Sequence, residues 1–261
     1  MCTGIGDRAE ADLLRRSEAK ESNVSRSERS RLMCFSATGS FALSGLLAGV
    51  GAVSLARNSS KPHRLFAAIP LLFAAQQAAE GVVWLTIHDA DHAILHRLAV
   101  IVFLGFAMVV WPTWLPLSLK LMERTQVRRR ILRGLSWFGA VVSAYAAVLL
   151  TLWQPNARVA GHSIRYDYQQ DQSAWVRLVY LVGYVVPVVG PFFVSTTPLA
   201  RTIGVTLVGS LVATVVVERH ALTSVWCFFA AILSGLILVV VEKEQQVGAV
   251  STAGRANPSH A

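Results

Sequence analysis

Seven long apolar stretches dominate this sequence, at residues 35–56, 65–87, 98–119, 134–154, 176–194, 199–217 and 222–241. A helix rising about 1.5 Å per residue needs about 20 such residues to cross roughly 30 Å of hydrocarbon. In hydrocarbon the backbone must satisfy its own N–H and C=O groups, and an apolar run of this length does so as a helix. The pattern predicts an all-α fold, a polytopic transmembrane bundle of seven helices with the lipid bilayer as its partner. The fifth and sixth boundaries are the softest, because Pro187, Gly190, Pro191 and Pro198 crowd them and only a few residues separate the two stretches.

Charge is rare in these stretches, which hold only Glu80, Arg177 and Arg201. The chain is 54% hydrophobic and 15% charged, where an average soluble domain carries roughly 25% charge. Residues 1–32 hold 13 charges, seven basic and six acidic, interspersed with serines and without an apolar core of the kind a signal peptide needs. The chain is therefore expected to divide into a charged, disordered extension (1–32) upstream of a start at Met33, a transmembrane domain (33–245), and a disordered cytosolic tail (246–261). The net charge of +9 does not point to nucleic acid, since past Met33 the basic residues sit in short loops between apolar stretches, where they orient a membrane protein.

Those loops set the expected orientation. Arg57, Lys61, Arg64, Lys120, Arg124, Arg128, Arg129, Arg130, Arg133, Arg201, Lys243 and Arg255 fall on one side, against Arg97, Arg158, Arg165, Arg177 and Arg219 on the other. The richer side is expected to be cytosolic, which puts the N-terminus outside and the C-terminus inside. Trp84, Trp153 and Trp175 then lie at outer boundaries and Trp137 at an inner one, as interfacial anchors. Trp111, Trp114 and Trp226 lie deeper.

The second stretch holds the strongest candidate for chemistry. Gln76, Gln77, Glu80 and Trp84 recur at helical spacing and share one face. An ionised side chain near mid-bilayer costs on the order of 2.5 to 3.5 kcal/mol on insertion scales, so Glu80 must be partnered, protonated or beside water. It is either a functional carboxyl or a neutral one that glues helices together by hydrogen bonding. Cys34 and Ser36 open the first stretch, and Ser224 and Cys227 open the seventh, all at the outer depth of Glu80. They are expected to line one outward-facing cavity, with Trp111 and Trp226 as its walls. Cys34 and Cys227 can be two packed thiols, a disulfide or a metal or haem contact.

Other features constrain packing more than chemistry. Pro112 and Pro116 interrupt the third stretch and Pro187 and Pro191 the fifth, each freeing a carbonyl one turn earlier. Gly45 and Gly49 form a small-xxx-small pair that predicts close helix contact. His88, His92 and His96 are spaced by four, a pattern that permits zinc on a short outer helix, but a solvated or interfacial face accounts for it and no metal site is expected. In residues 155–175, Ile164, Tyr166 and Tyr168 alternate with polar residues, which predicts a strand or hairpin capping the bundle, with His162 as a lid residue.

The run from Met33 reads Met-Cys-Phe-Ser-Ala-Thr-Gly-Ser-Phe. With Gln76-Gln77, Glu80-Gly81 and Trp84, Trp111-Pro112 and Pro116, Gly161-His162-Ser163-Ile164 and Tyr166, and Ser224-Val-Trp226-Cys227, it resembles a family of bacterial integral membrane proteins of unknown function. The resemblance covers residues 33–241, with Gly39 where an alanine is common. It implies a start at Met33 and a multi-pass protein of the bacterial plasma membrane, and it carries no activity across. The leading expectation is a protein that binds or passes a small ligand, ion or proton in the outward cavity around Glu80. A membrane-embedded enzyme or cofactor-binding protein using outer His, Cys and Glu side chains is the second, and a sensor or assembly subunit the third. No GxSxG or HExxH motif is present, no histidine lies inside a stretch as in ceramidase-like zinc hydrolases, and no lysine lies where a retinal Schiff base would need one. The sequence leaves the cofactor unknown.

Overall fold

The computed structural model describes residues 36–58, 61–153, 155–160, 163–167, 173–217, 232–240 and 242. In chain order these form α1 (Ala37–Arg57), the short helix α2 (Arg64–Ala67), α3 (Ile69–Thr86), α4 (Ala93–Leu104), a π turn (Gly105–Val110), α5 (Trp111–Met122), α6 (Gln126–Trp153), the strands β1 (Asn156–Ala160) and β2 (Ser163–Asp167), α7 (Ala174–Val194) and α8 (Ala200–Val217). Residues 232–240 are also helical. Four helical segments are long and apolar enough to cross a membrane: Ala37–Arg57, Lys61–Thr86, Ala90–Met122 and Gln126–Trp153. They correspond to the first four stretches read from the sequence. Leu178–Val194 and Ala200–Val212 are shorter apolar helical runs within the fifth and sixth.

Local chemistry explains where the helices begin and turn. Ser36 caps α1 by accepting a hydrogen bond from the Gly39 N–H at 3.3 Å. Pro70 stands in the first turn of α3, where its missing N–H costs nothing. Between α7 and α8, Leu199 takes a left-handed backbone (φ 60°) that reverses the chain within a few residues.

α3 is the axis of the bundle. Two-thirds of the apolar window of its segment, Lys61–Thr86, is buried (67%), against 22–28% for the other three long segments. Those others turn leucine, isoleucine, valine and aromatic side chains outward, including Leu46, Leu98, Val141, Trp137 and Trp153. An apolar exterior around a buried central helix is how a chain of this composition is arranged when hydrocarbon surrounds it.

The small residues make close contacts, but not at the expected pair. Gly45 and Gly49 face open space, with nothing within 4 Å of where a Cβ would stand. The tight contacts lie at Gly51 against Leu71, Gly81 beneath the Phe41 ring, and Gly139, where a Cβ would sit 1.8 Å from the Pro112 carbonyl oxygen. That carbonyl is the one Pro116 leaves without an intrahelical donor. Gly139 therefore lets α6 close over Pro112 in α5.

The neighbouring carbonyls are satisfied by side chains. Around the π turn the Tyr184 hydroxyl donates to Ala107 O at 2.6 Å, and the Ser143 hydroxyl donates to Val109 O at 2.6 Å. Ser143 in turn lies 2.9 Å from the Thr113 hydroxyl, which must donate because the Ser143 proton is already committed. The proline-rich third stretch thus carries a π turn and two prolines, and carbonyls beside them are met by hydroxyls of α6 and α7.

The predicted hairpin is present. β1 and β2 pair antiparallel, from Asn156 opposite Asp167 to Ala160 opposite Ser163. Ile164 and Tyr166 point inward while Arg165 is exposed, as the alternation required. The Tyr166 ring stacks on Phe103 of α4 at 4.8 Å, which fixes the hairpin over one end of the bundle.

Candidate functional site

On α3, three consecutive polar positions of the axial helix are withdrawn from solvent: Gln76, Gln77 and Glu80 are each 3% exposed. They share a face because residues three and four apart on a helix are neighbours. The Gln77 carboxamide donates to Glu80 Oε2 at 3.0 Å. One residue earlier, Trp111 donates its indole N–H to Gln76 Oε1 at 2.9 Å. An indole N–H can only donate, so this contact fixes the Gln76 carboxamide with its oxygen toward Trp111. Phe73 packs on the same indole, with ring centroids 4.2 Å apart. The result is a buried polar line running Trp111–Gln76 and Gln77–Glu80, walled by aromatic rings.

α1 closes the line from the other side. Ser40 is buried, the Ser44 hydroxyl donates to Ala74 O at 2.8 Å, and Phe41 lies over Gly81. Trp84, the fourth residue of the predicted face, is half-buried and packs with the cluster around Val83, Phe103 and Ile164.

The remaining candidates are dispersed. Ser36 is the cap of α1, and Tyr166 belongs to the hairpin stack on Phe103. Cys34, His162, Ser224, Trp226 and Cys227 lie outside the described residues. The three spaced histidines do not act as a set. His92 Nδ1 pairs with Asp89 at 2.7 Å, and His96 Nδ1 meets the Thr86 hydroxyl at 3.0 Å. Thr86 donates to Val82 O at 2.8 Å, so His96 carries its hydrogen on Nδ1. The Asp89–His92 hydrogen bond holds the Asp89 carboxyl below its ordinary range. A 3-10 turn at Ala90–His92 interrupts the helix that would have aligned the three rings. Among the described residues no three His, Cys, Asp or Glu side chains are grouped as metal ligands.

One buried carboxylate was not anticipated. Glu123, just beyond α5, accepts hydrogen bonds from the Thr196 N–H at 2.8 Å, the Thr196 hydroxyl at 2.9 Å and the Thr125 N–H at 2.9 Å. Arg128 donates to Val194 O at 2.9 Å beside it. Burial raises the proton affinity of this carboxyl, and the Thr196 and Thr125 hydrogen bonds outweigh that effect and bring its pKa below the ordinary value of 4.5.

The model of a family of unknown function, DUF6629, matches residues 33–252. The chain belongs to that family. No curated protein and no solved structure matches the chain. Both halves of the polar line, the Glu123 clamp and the carbonyl contacts around the π turn lie within the DUF6629 region. The family is one of unknown function, as the resemblance implied, so what the site does has to be argued from its own chemistry.

Proposed function

We propose that this DUF6629 chain is a multi-pass integral protein of a bacterial plasma membrane, with seven spans, N-terminus outside and C-terminus inside, in which Glu80 takes up and releases a proton. The observation that carries this reading is the placement of Glu80: a carboxyl 3% exposed, on the most enclosed helix of an apolar bundle, held by the side-chain amide of Gln77. A low-dielectric surrounding favours the neutral acid, while a donated N–H favours the carboxylate, so each protonation state has a group that supports it. The neighbouring Trp111–Gln76 bond keeps the wall rigid while the proton comes and goes. The basic loops and the outward tryptophans support the orientation, which places Glu80 in the outer half of the bilayer.

The test is infrared difference spectroscopy on the full chain reconstituted in phosphatidylcholine vesicles and stepped in pH. A protonated-carboxyl C=O band should grow as the pH falls and be missing from Glu80→Gln, with folded yield and thermal unfolding of that variant close to wild type. Identical spectra for wild type and Glu80→Gln, or a variant that no longer folds, would identify Glu80 as packing glue.

A further inference from the structure

The face that α1 turns toward α3 is lined by hydroxyl groups. At spacings of three and four it presents Ser40, Ser44, Leu47, Gly51, Ser54 and Asn58, buried or half-buried. Three contacts set its register against α3: Phe41 over Gly81, the Ser44 hydroxyl on Ala74 O, and Gly51 against Leu71. Ser40 and Ser44 therefore stand at the level of Glu80 and Gln77. Ser54 and Asn58 lie further along, about 15 and 21 Å from Ser44 at the helical rise, where α1 ends.

Ser54 is the anomaly of this face. It is 0% exposed, and its hydroxyl has no hydrogen-bond partner among the described residues. A serine inside a helix ordinarily donates to a carbonyl about one turn back, as Ser136 does to Leu132 O at 2.8 Å and Ser118 to Leu115 O at 2.8 Å. An unmatched buried hydroxyl is costly, and internal water is its usual remedy. Between the two polar halves of the face, Leu47 is fully buried and Gly51 meets Leu71 so closely that a Cβ there would lie 2.6 Å from Leu71 Cγ.

We propose that the α1–α3 seam is the proton route to Glu80, with a water molecule held by Ser54 as its relay at the end where α1 stops, and Leu71 on Gly51 as the dry closure between relay and carboxyl. The route rests on the reading of Glu80 as a proton-exchanging group. When the closure opens, the Glu80 O–H bond breaks toward a hydroxyl or water oxygen. Each oxygen along the seam then accepts one proton and passes another on, so the carboxylate is left behind, the proton reaches the aqueous phase and nothing is oxidised or reduced. The charged and titratable side chains on elements packed against α3 stand at its ends: Arg57 on α1, Arg64 on α2, His96 and Arg97 on α4, and Lys120 on α5. His96, bonded to Thr86, is about 9 Å along the axis from Glu80. Among the described residues the seam itself is lined by neutral groups, as a route that must not trap its proton requires.

The experiment is a pH jump on the full chain in phosphatidylcholine vesicles, following the Glu80 carboxyl band in time. Ser54→Ala should slow the band by about tenfold, the rate factor for one lost hydrogen bond. Ser54→Thr, which keeps a hydroxyl, should restore the rate. A folded Ser54→Ala protein responding at the wild-type rate overturns the route while leaving Glu80 as the proton site. A wild-type protein with no responding band overturns the reading of Glu80 itself. Should Ser54→Ala fail to fold, Ser54→Cys, a poorer relay of similar size, takes its place, and a wild-type rate in that variant overturns the route equally.

Discussion

Glu80 and Glu123 are buried to the same degree, 3% exposed each, and the protein treats them in opposite ways. Glu123 is held largely by backbone. Thr196 and Thr125 N–H groups, with the Thr196 hydroxyl, converge on both of its oxygens and tie the turn after α5 to the turn after α7. Glu80 sits in the middle of a helix, whose own N–H groups are committed to the helix, and is met by the side chain of Gln77 one turn away. A carboxylate clamped by fixed amides has one state in which all donors are satisfied. A carboxyl held by a rotatable carboxamide can change its protonation while its partner adjusts. Burial alone therefore does not describe how a carboxyl is held, and the origin of its donors does.

This contrast can be broken by experiment. The largest effect is expected for Glu123→Ala, which leaves converging donors unmatched in a buried turn and should cost about 3 kcal/mol. Chemical or thermal unfolding of the purified protein reads it, and a loss no greater than that of Glu80→Gln would erase the distinction. A part of the same loss should appear on acidification. The folded-state pKa of Glu123 lies below its ordinary value of 4.5, so its contribution is complete above that value and disappears as the pH falls through the folded pKa. The wild-type protein should lose stability over that window, and Glu123→Gln should lose less. A smaller effect is expected at the other carboxyl's neighbour. Trp111→Phe keeps the contact with Phe73 and removes only the N–H donated to Gln76, at a cost of about 1 kcal/mol, and should leave the Glu80 band in place. A band that vanished in Trp111→Phe would make the wall part of the proton chemistry.

The parts of this structure that depend on local pattern were legible in the sequence. Apolar length gave the helices, the spacing of Gln76, Gln77 and Glu80 gave one buried face, and period-two alternation gave the hairpin at Ile164 and Tyr166. What depends on distant partners was not. Glu123 follows Lys120 and precedes Arg124, a context that reads as a solvated loop, and its clamp comes from a threonine 73 positions away. Gly45 and Gly49 have the right spacing for a helix contact, but spacing does not say which face of a helix is inside, and theirs points outward. The histidine repeat shows the same limit: a spacing of four aligns side chains only on an unbroken helix, and a 3-10 turn intervenes at Ala90–His92. Trp111 was recognised as a deep tryptophan, but its partner Gln76 lies 35 residues away.

The π turn at Gly105–Val110 has a consequence for angular phase. Relative to an uninterrupted α-helix, a π turn accommodates an additional residue, which resets the facing of everything after it by about 100°. All of Trp111–Met122 is thus presented at a different azimuth from the one α4 would dictate, and the indole of Trp111 meets Gln76 in that setting. A deletion of one residue within Gly105–Val110 would preserve the composition and length class of the span while turning Trp111 out of line with the polar face it now completes.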